Sequence, residues 1–94
     1  MDNFDIKIFS IVVTYNGSKT ICECLESLQN SALDVEIIVV DNASTDNTRE
    51  LINQYQDNLI FLPLKKNIGF GQANNIGIDY ALEHEADFVF LLNQ

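Results

Sequence analysis

Residues 8–16 of the chain read IFSIVVTYN. The run 8–13 is almost continuously apolar and rich in β-branched residues, which is typical of a parallel strand buried on both faces. The polar turn residues Thr14-Tyr15-Asn16 follow it directly. We therefore predict a strand at the centre of a parallel sheet, with polar groups at its carboxyl end.

Outward from this strand, apolar runs of strand length alternate with amphipathic segments. The alternation predicts βαβ units, and right-handed crossovers give the strand order 3-2-1-4. The expected fold class is α/β: a three-layer, Rossmann-like half-sheet of parallel strands with helices on both faces, forming a single domain over residues 1–94. The other predicted strands are 35–40, 59–64 and 87–92. The first predicted helix begins near residues 18–20, the second carries Leu51, Ile52 and Tyr55, and the third runs over about 71–84.

Local signals refine the ends of these elements. Thr20 followed by Glu23 is the pattern of a capping box at the first helix. Pro63 cannot donate a ladder hydrogen bond, so it indicates a sheet edge or the end of the third strand. The third helix has an inner face at helical spacing, formed by Ala73, Ile76, Gly77, Tyr80 and Ala81.

The composition argues against several classes of partner. The chain carries 14 acidic and 5 basic residues, and its net charge of −9 repels nucleic acids and anionic membranes. A diphosphate would need a locally positive pocket made by a metal ion, helix N-termini or oriented backbone amides. Cys22 and Cys24 point to different faces of the predicted helix, so we expect two reduced thiols.

Targeting signals are also lacking in the sequence. No apolar run approaches the roughly 20 residues needed to span a bilayer. Residues 1–5 are acidic and do not have the basic start and apolar core of a signal peptide. We therefore expect a cytoplasmic protein.

Polar residues and glycines follow the predicted strands. Ligands of open parallel sheets bind beyond the carboxyl ends of the strands where the strand order reverses, here between strands one and four. Asn93 and Gln94 follow strand four. The candidate ligand-binding residues are Thr14, Tyr15, Asn16, Asp41, Asn42, Ser44, Asp46, Asn67, Gly69, Gly71 and Asn74.

The loop after strand two has two interpretations. Asp41 can accept hydrogen bonds from a base or a ribose while Ser44 and Asp46 organise the loop. Alternatively, an Asx turn and a helix N-cap account for Ser44 and Asp46 without any ligand.

The loop after strand three also has two interpretations. Gly69-Phe70-Gly71 allows the backbone to approach a diphosphate, or simply makes a tight entry into the third helix. A dinucleotide-binding fingerprint would need a third glycine at Asn74 and a place after strand one, so this stretch is not one. Lys65 and Lys66 are expected to be solvated.

Three blocks of sequence, taken together, resemble glycosyltransferase family 2, an inverting family with the GT-A nucleotide-binding fold. The blocks are residues 11–16, 37–46 and 67–77, so the resemblance covers nearly the whole chain. Residues 67–77 and 90–94 look most like bacterial rhamnosyltransferases and related glycosyltransferases of cell-wall or polysaccharide biosynthesis. The resemblance implies the N-terminal nucleotide-sugar-binding part of an enzyme that transfers a sugar from a UDP- or dTDP-sugar to a saccharide or lipid-linked acceptor.

The resemblance also implies roles for particular residues. Thr14 and Tyr15 would contact the nucleotide, and Asp41 would hydrogen-bond the uracil or thymine ring. The loop from Asn67 would approach the ribose and diphosphate. Many relatives carry an arginine where Asn74 stands, and this chain departs from that charge contact.

The resemblance places the catalytic parts elsewhere. Relatives continue after strand four into an aspartate motif that binds a divalent cation, Mg²⁺ or Mn²⁺, so the metal ligands are expected beyond the end of this chain. No residue present matches a catalytic role, so the isolated chain is expected to be inactive. It is also expected to bind donor nucleotide weakly or not at all, because it lacks the ligand of the metal that offsets the phosphate charge. The parent enzyme is expected in the cytoplasm, with peripheral attachment at the inner face of the membrane as the alternative.

Competing functions remain. A receiver-like module needs an acidic cluster after strand one, and a nucleotidyltransferase needs a glycine-rich, basic loop there; Thr14-Tyr15-Asn16 supplies neither. A non-catalytic association module is the other alternative, since apolar surface and a free strand edge at strand four invite self-association.

Overall fold

A computed structural model of the chain describes residues 6–93. Residues 1–5, part of the basis for the expected location, and Gln94 lie outside the described residues. The elements are β1 (Ile8–Thr14), α1 (Ile21–Gln29), β2 (Val35–Asp41), α2 (Thr48–Asn53), a 3-10 turn (Gln56–Asn58), β3 (Ile60–Pro63), α3 (Gly69–Glu83) and β4 (Phe88–Asn93).

The four strands form one parallel sheet in the order β3-β2-β1-β4, which confirms the predicted topology. Thr14 pairs with Asp41, and Asp41 pairs with Pro63. The carboxyl ends of three strands therefore meet at one level of the sheet. Pro63 both ends β3 and lies at the sheet edge, as its missing N–H predicts.

Helices cover both faces of the sheet, so the predicted three layers are present. Alternate residues of β1 and β2 point to opposite faces. One core packs α3 on the sheet and includes Phe9, Ile11, Val13, Ile38, Val40, Ala73 and Ala81. The other packs α1 and α2 and includes Val12, Ile21, Leu25, Ile37, Val39 and Ile52.

The small residues of α3 let it lie close to β1. A Cβ atom added at Gly77 would be 2.6 Å from Cγ2 of Ile11, far inside van der Waals contact. Ala73, Gly77 and Ala81 are all buried, as their spacing predicts. The position of α3, and hence of its N-terminal loop, depends on this close approach.

Two helix starts differ from the predictions. Thr20 is the N-cap of α1, but its side chain makes no cap hydrogen bond, so the expected capping box with Glu23 is not formed. The reason is that Thr20 has ψ of −10°, outside the extended conformation that a capping side chain requires. The third helix begins at Gly69, two residues before the predicted start near Gly71.

The outer strand β4 is sparsely covered. Phe88, Phe90, Leu91 and Leu92 are between 38% and 56% exposed, and they include side chains on both faces of the strand. By contrast, the opposite edge strand β3 has only 4 residues and ends in proline. Among the described helices, none is long and apolar enough to cross a membrane.

Candidate functional site

Asp41 is the centre of a polar cluster at the carboxyl ends of the strands. It ends β2 and is completely buried. Its Oδ1 accepts a hydrogen bond of 2.5 Å from the Ser44 hydroxyl, and its Oδ2 accepts one of 3.0 Å from the Ser44 amide. The Arg49 Nε also donates to Oδ2 at 2.6 Å. The carboxylate is thus fully engaged within the protein.

Arg49 extends this cluster to the end of β3. Its Nη2 donates to the carbonyl oxygen of Leu64 at 2.5 Å. The Leu64 amide in turn donates to the Asp41 carbonyl at 2.9 Å. The Arg49 side chain, 38% exposed, therefore joins the first turn of α2 to the loop after β3.

Asn42 ties the end of β1 to the start of α3. Its backbone N–H donates to the Thr14 carbonyl at 2.8 Å, and its side-chain Oδ1 accepts from the Ile68 backbone amide at 2.9 Å. The side chain is almost completely buried. Asn42 therefore acts in the structure as a bridge between loops.

Asn16 joins the loop after β1 to the loop after β2. Its Oδ1 accepts from the backbone amides of Thr45 at 2.8 Å and Asp46 at 3.3 Å, while its own backbone N–H donates to the Ser44 hydroxyl at 2.8 Å. Asn16 has φ of 51° and Ala43 has φ of 67°, so both lie in the left-handed region. Asparagine tolerates this conformation well, and alanine adopts it at a cost.

Asp46 makes the Asx turn that turn chemistry predicts, but it is not the N-cap of α2: that residue is Asn47, which has no side-chain cap hydrogen bond. Its Oδ1 accepts from the Thr48 amide at 3.0 Å and from the Thr48 hydroxyl, and its Oδ2 accepts from the Ser18 amide at 3.4 Å. The hydrogen bond from the Thr48 hydroxyl is the main cause of the lowered pKa of Asp46. The carboxylate fixes the entry into α2 and links it to the loop after β1.

The loop after β3 enters α3 through a tight turn. Asn67 Oδ1 accepts from the Gly69 amide at 2.8 Å, and Gly69 has φ of 86°, which favours glycine. The amides of Ile68 and Gly69 are thus used internally. Those of Phe70 and Gly71 fall in the first turn of α3, where amides have no acceptor within the helix. Space is open beside Gly71, since an added Cβ would meet nothing within 4 Å.

The predicted site residues separate into two groups by exposure. The side chains of Thr14, Asp41 and Asn42 are buried. The others are exposed or half-buried, namely Tyr15, Asn16, Ser44, Asp46, Asn67, Gly69 and Gly71, together with Asn74 of α3, whose Oδ1 is itself buried. Direct contact with a ligand is therefore open to the second group except at the Oδ1 of Asn74, whereas the first group is placed to shape the loops.

Sequence reasoning missed Arg49. The hydrogen bonds join the loops after β1, β2 and β3, and ligand binding between strands one and four stays a prediction. Gln94, which follows β4, lies outside the described residues. A signal for Arg49 did exist: it is the only arginine in a chain with 5 basic residues, and it follows an acidic loop.

The described residues do not fit a divalent cation. Within residues 6–93, no three His, Cys, Asp or Glu side chains come together as a group that could hold a metal ion. In the cluster, Asp41 is bound by Arg49 and Ser44, and Asp46 by Thr48.

The sequence of residues 10–93 matches the family model described as "Glycosyl transferase family 2". The chain belongs to glycosyltransferase family 2. It is similar to the poly(ribitol-phosphate) β-N-acetylglucosaminyltransferase TarS of Staphylococcus aureus, with 35% identity over 92 residues, 90% of this chain and 16% of the relative. It is also 35% identical over 78 residues to the teichoic acid poly(glycerol phosphate) polymerase of Staphylococcus epidermidis, covering 78% of this chain and 11% of the relative.

Solved structures of family members have the same fold. The crystal structure of S. aureus TarS in complex with UDP has a TM-score of 0.83 and 34% identity, covering 94% of this chain and 27% of that one. The mannosyltransferase PcManGT of Pyrobaculum calidifontis, in complex with GDP-Man and Mn²⁺, has a TM-score of 0.70 and 26% identity, covering 80% of this chain and 24% of that one. The sheet of this glycosyltransferase chain is thus of the GT-A type, and the chain spans about a quarter or less of these relatives.

Proposed function

We propose that this chain is the nucleotide-binding part of an inverting glycosyltransferase that uses a UDP-sugar as donor. The observation that carries the proposal is the hydrogen-bonded cluster of three loops at the carboxyl edge of a family 2 sheet. Such an edge is where open parallel sheets bind nucleotides. Buried polar groups hold the loops in place, so the exposed residues present a preformed surface.

The exposed residues of the cluster have chemistry suited to a nucleoside diphosphate. Tyr15, 41% exposed, offers an aromatic face on which a base ring can stack. The open space beside Gly71 and the amides in the first turn of α3 suit an anionic diphosphate. Lys65 and Lys66 are exposed on the same loop and add positive charge to a chain of net charge −9.

UDP is favoured over dTDP because the similar TarS has been crystallised with UDP and with UDP-GlcNAc. A dTDP-sugar, as in rhamnosyl transfer, is the alternative donor. The names of two relatives, which act on or make poly(ribitol phosphate) and poly(glycerol phosphate), favour an alditol-phosphate polymer over a lipid-linked saccharide as acceptor.

Transfer requires a base that deprotonates the acceptor hydroxyl as the nucleoside diphosphate leaves. The cluster carboxylates of Asp41 and Asp46 are both held by internal hydrogen bonds, so neither is placed to act as that base. We therefore propose that residues 1–94 alone bind nucleotide without transferring sugar, and that a metal-binding motif and the base belong to further sequence in the parent enzyme.

Amide NMR of the ¹⁵N-labelled chain tests the proposal by titration with UDP, dTDP and ADP in parallel. We expect UDP to shift amides of residues 14–16, 41–46 and 67–71, with dTDP weaker and ADP weakest. Equal shifts from all three nucleotides would contradict base recognition. An absence of shifts in the three loops at millimolar UDP would overturn the nucleotide site.

Self-association through β4 is a second candidate property, favoured by the exposure of Phe88, Phe90 and Leu92 along one face of an edge strand. An uncharged, unpaired strand edge is a template for pairing with a second copy. Light scattering after size exclusion should find dimers that disappear in Phe90→Lys. A wild-type chain that stays monomeric at millimolar concentration would remove this candidate.

A further inference from the structure

The segment between Leu64 and Ile68 is held at both ends, by a side chain from the first turn of α2 and by one from the loop after β2. At one end, Arg49 Nη2 donates to the Leu64 carbonyl at 2.5 Å. At the other end, Asn42 Oδ1 accepts from the Ile68 amide at 2.9 Å. The intervening residues 65–67 are exposed. The segment is thus a short bridge whose shape depends on two side-chain anchors.

The hydrogen bonds at Leu64 hold the chain in place directly after the end of the sheet. The last paired residues of β2 and β3 are Asp41 and Pro63, and Pro63 has no N–H to continue the ladder. Beyond that point the Leu64 amide donates to the Asp41 carbonyl, and the Leu64 carbonyl accepts from Arg49. Both backbone groups of Leu64 are therefore fixed by Asp41 or by its ion-pair partner.

Arginine is suited to this task by its geometry. Its planar fork donates through Nε to the Asp41 carboxylate at 2.6 Å and through Nη2 to the Leu64 carbonyl at the same time. The single ammonium of a lysine cannot reproduce two donors in this fixed relation. The position therefore requires the shape of the guanidinium group and not only its charge.

The contacts of Arg49 lie at the carboxyl edge of the sheet, where we propose that the nucleotide binds. The segment that it anchors leads into Asn67, Gly69 and Gly71, which are predicted to meet the ligand. The α2 residue buried in the core is Ile52, on a different part of the helix. Loss of the guanidinium should consequently loosen the loop after β3 before it affects the packed core.

We propose that Arg49 is a positioning residue for nucleoside diphosphate binding, which holds residues 64–69 in the binding conformation through Asp41 and Leu64. The proposal deepens the proposed nucleotide-binding function and rests on it. If the loop without its anchor keeps the binding conformation for about a tenth of the time, the apparent affinity falls about tenfold.

The test compares UDP binding by amide NMR in the wild type, Arg49→Lys and Arg49→Met. We expect about tenfold weaker binding in both variants, with faster hydrogen exchange confined to amides 64–69. Because Arg49→Met leaves a buried carboxylate unpaired, the double variant Asp41→Asn/Arg49→Met removes both charges and should fold and show the same loss. Lys7→Met is the matched control, since Lys7 directly precedes β1, at the opposite end of the strand from the cluster, and its loss removes equal charge.

The outcomes separate the two claims. UDP binding by the wild type with both Arg49 variants within twofold would overturn the positioning role and leave nucleotide binding intact. Binding lost in Arg49→Met but retained in Arg49→Lys would assign the effect to charge and also overturn it. Faster exchange across all strands would indicate a general structural role for Arg49 and would overturn the positioning role. No UDP shifts in the wild type would remove the proposed function, and this inference with it.

Discussion

The loop cluster at the carboxyl edge and the outer strand β4 differ in how well their side chains match their surroundings. In the cluster, buried Asp41 and Asn42 have hydrogen-bonding partners from other loops of the same chain. On β4, Phe88 and Phe90 are 56% and 49% exposed, although they are apolar. The difference teaches that the chain satisfies its buried polar side chains by internal hydrogen bonds, while it leaves the apolar side chains of β4 partly exposed.

The largest effect is expected from breaking the cluster at Asp41. Asp41→Ala leaves the Ser44 amide and the partly exposed Arg49 guanidinium without their acceptor. We expect a loss of about 2–3 kcal/mol in the free energy of unfolding, measured by urea denaturation. Asp79→Ala, at an exposed position of α3, is the control and should change stability by less than about 0.5 kcal/mol. A loss at Asp41 no larger than at Asp79 would contradict the central role of this carboxylate.

A smaller effect of opposite sign is expected at Ala43, where the loop stores strain. Its φ of 67° is unfavourable for alanine and acceptable for glycine. Ala43→Gly should raise the free energy of unfolding by about 0.5–1 kcal/mol in the same denaturation assay. Ala32→Gly, in an exposed loop without a positive φ, should instead lower it slightly. A loss in both variants would count against strain at Ala43.

These residues also mark how far the sequence predicts the structure. Strand order, the central place of β1 and the edge position of Pro63 follow from apolar periodicity and from the missing proline donor, and the structure confirms them. The burial of Asp41 does not follow, because its partner Arg49 is brought close only when α2 packs on the sheet. The capping box at Thr20 failed for a related reason: the backbone conformation at the helix start is set by the preceding turn, which the local pattern does not contain.

The cluster should also make the free energy of unfolding depend on pH, whereas β4 has no titratable side chain that could do so. Hydrogen bonds, chiefly from the Thr48 hydroxyl, lower the pKa of Asp46 from its ordinary value of 3.8. The stabilising effect of the ionised Asp46 is therefore complete above about pH 4 and is lost as the pH falls through the lowered folded pKa. Urea denaturation from pH 7 to pH 2 should find the wild type more stable than Asp46→Asn at neutral pH, with the difference vanishing in acid. Thr48→Val should shrink that pH dependence, and an unchanged one would contradict the assignment.

The smallest effect is expected on β4. Phe90→Lys places a charge on an exposed side of the edge strand, so the unfolding free energy of the monomer should change by less than about 0.5 kcal/mol. Thermal or urea unfolding of the dilute protein checks this. A loss comparable to that of Asp41→Ala would show that β4 is packed more completely than its exposure indicates, and the contrast between the two regions would fail.

Hydrogen–deuterium exchange with and without UDP tests the account most directly, because it reads both regions in one experiment. At saturating UDP we predict slower exchange in segments 14–18, 41–46 and 64–71, with exchange in β4 unchanged. Protection confined to β4 or to the carboxyl end of α1, or no protection at all, would contradict a nucleotide site formed by the three loops.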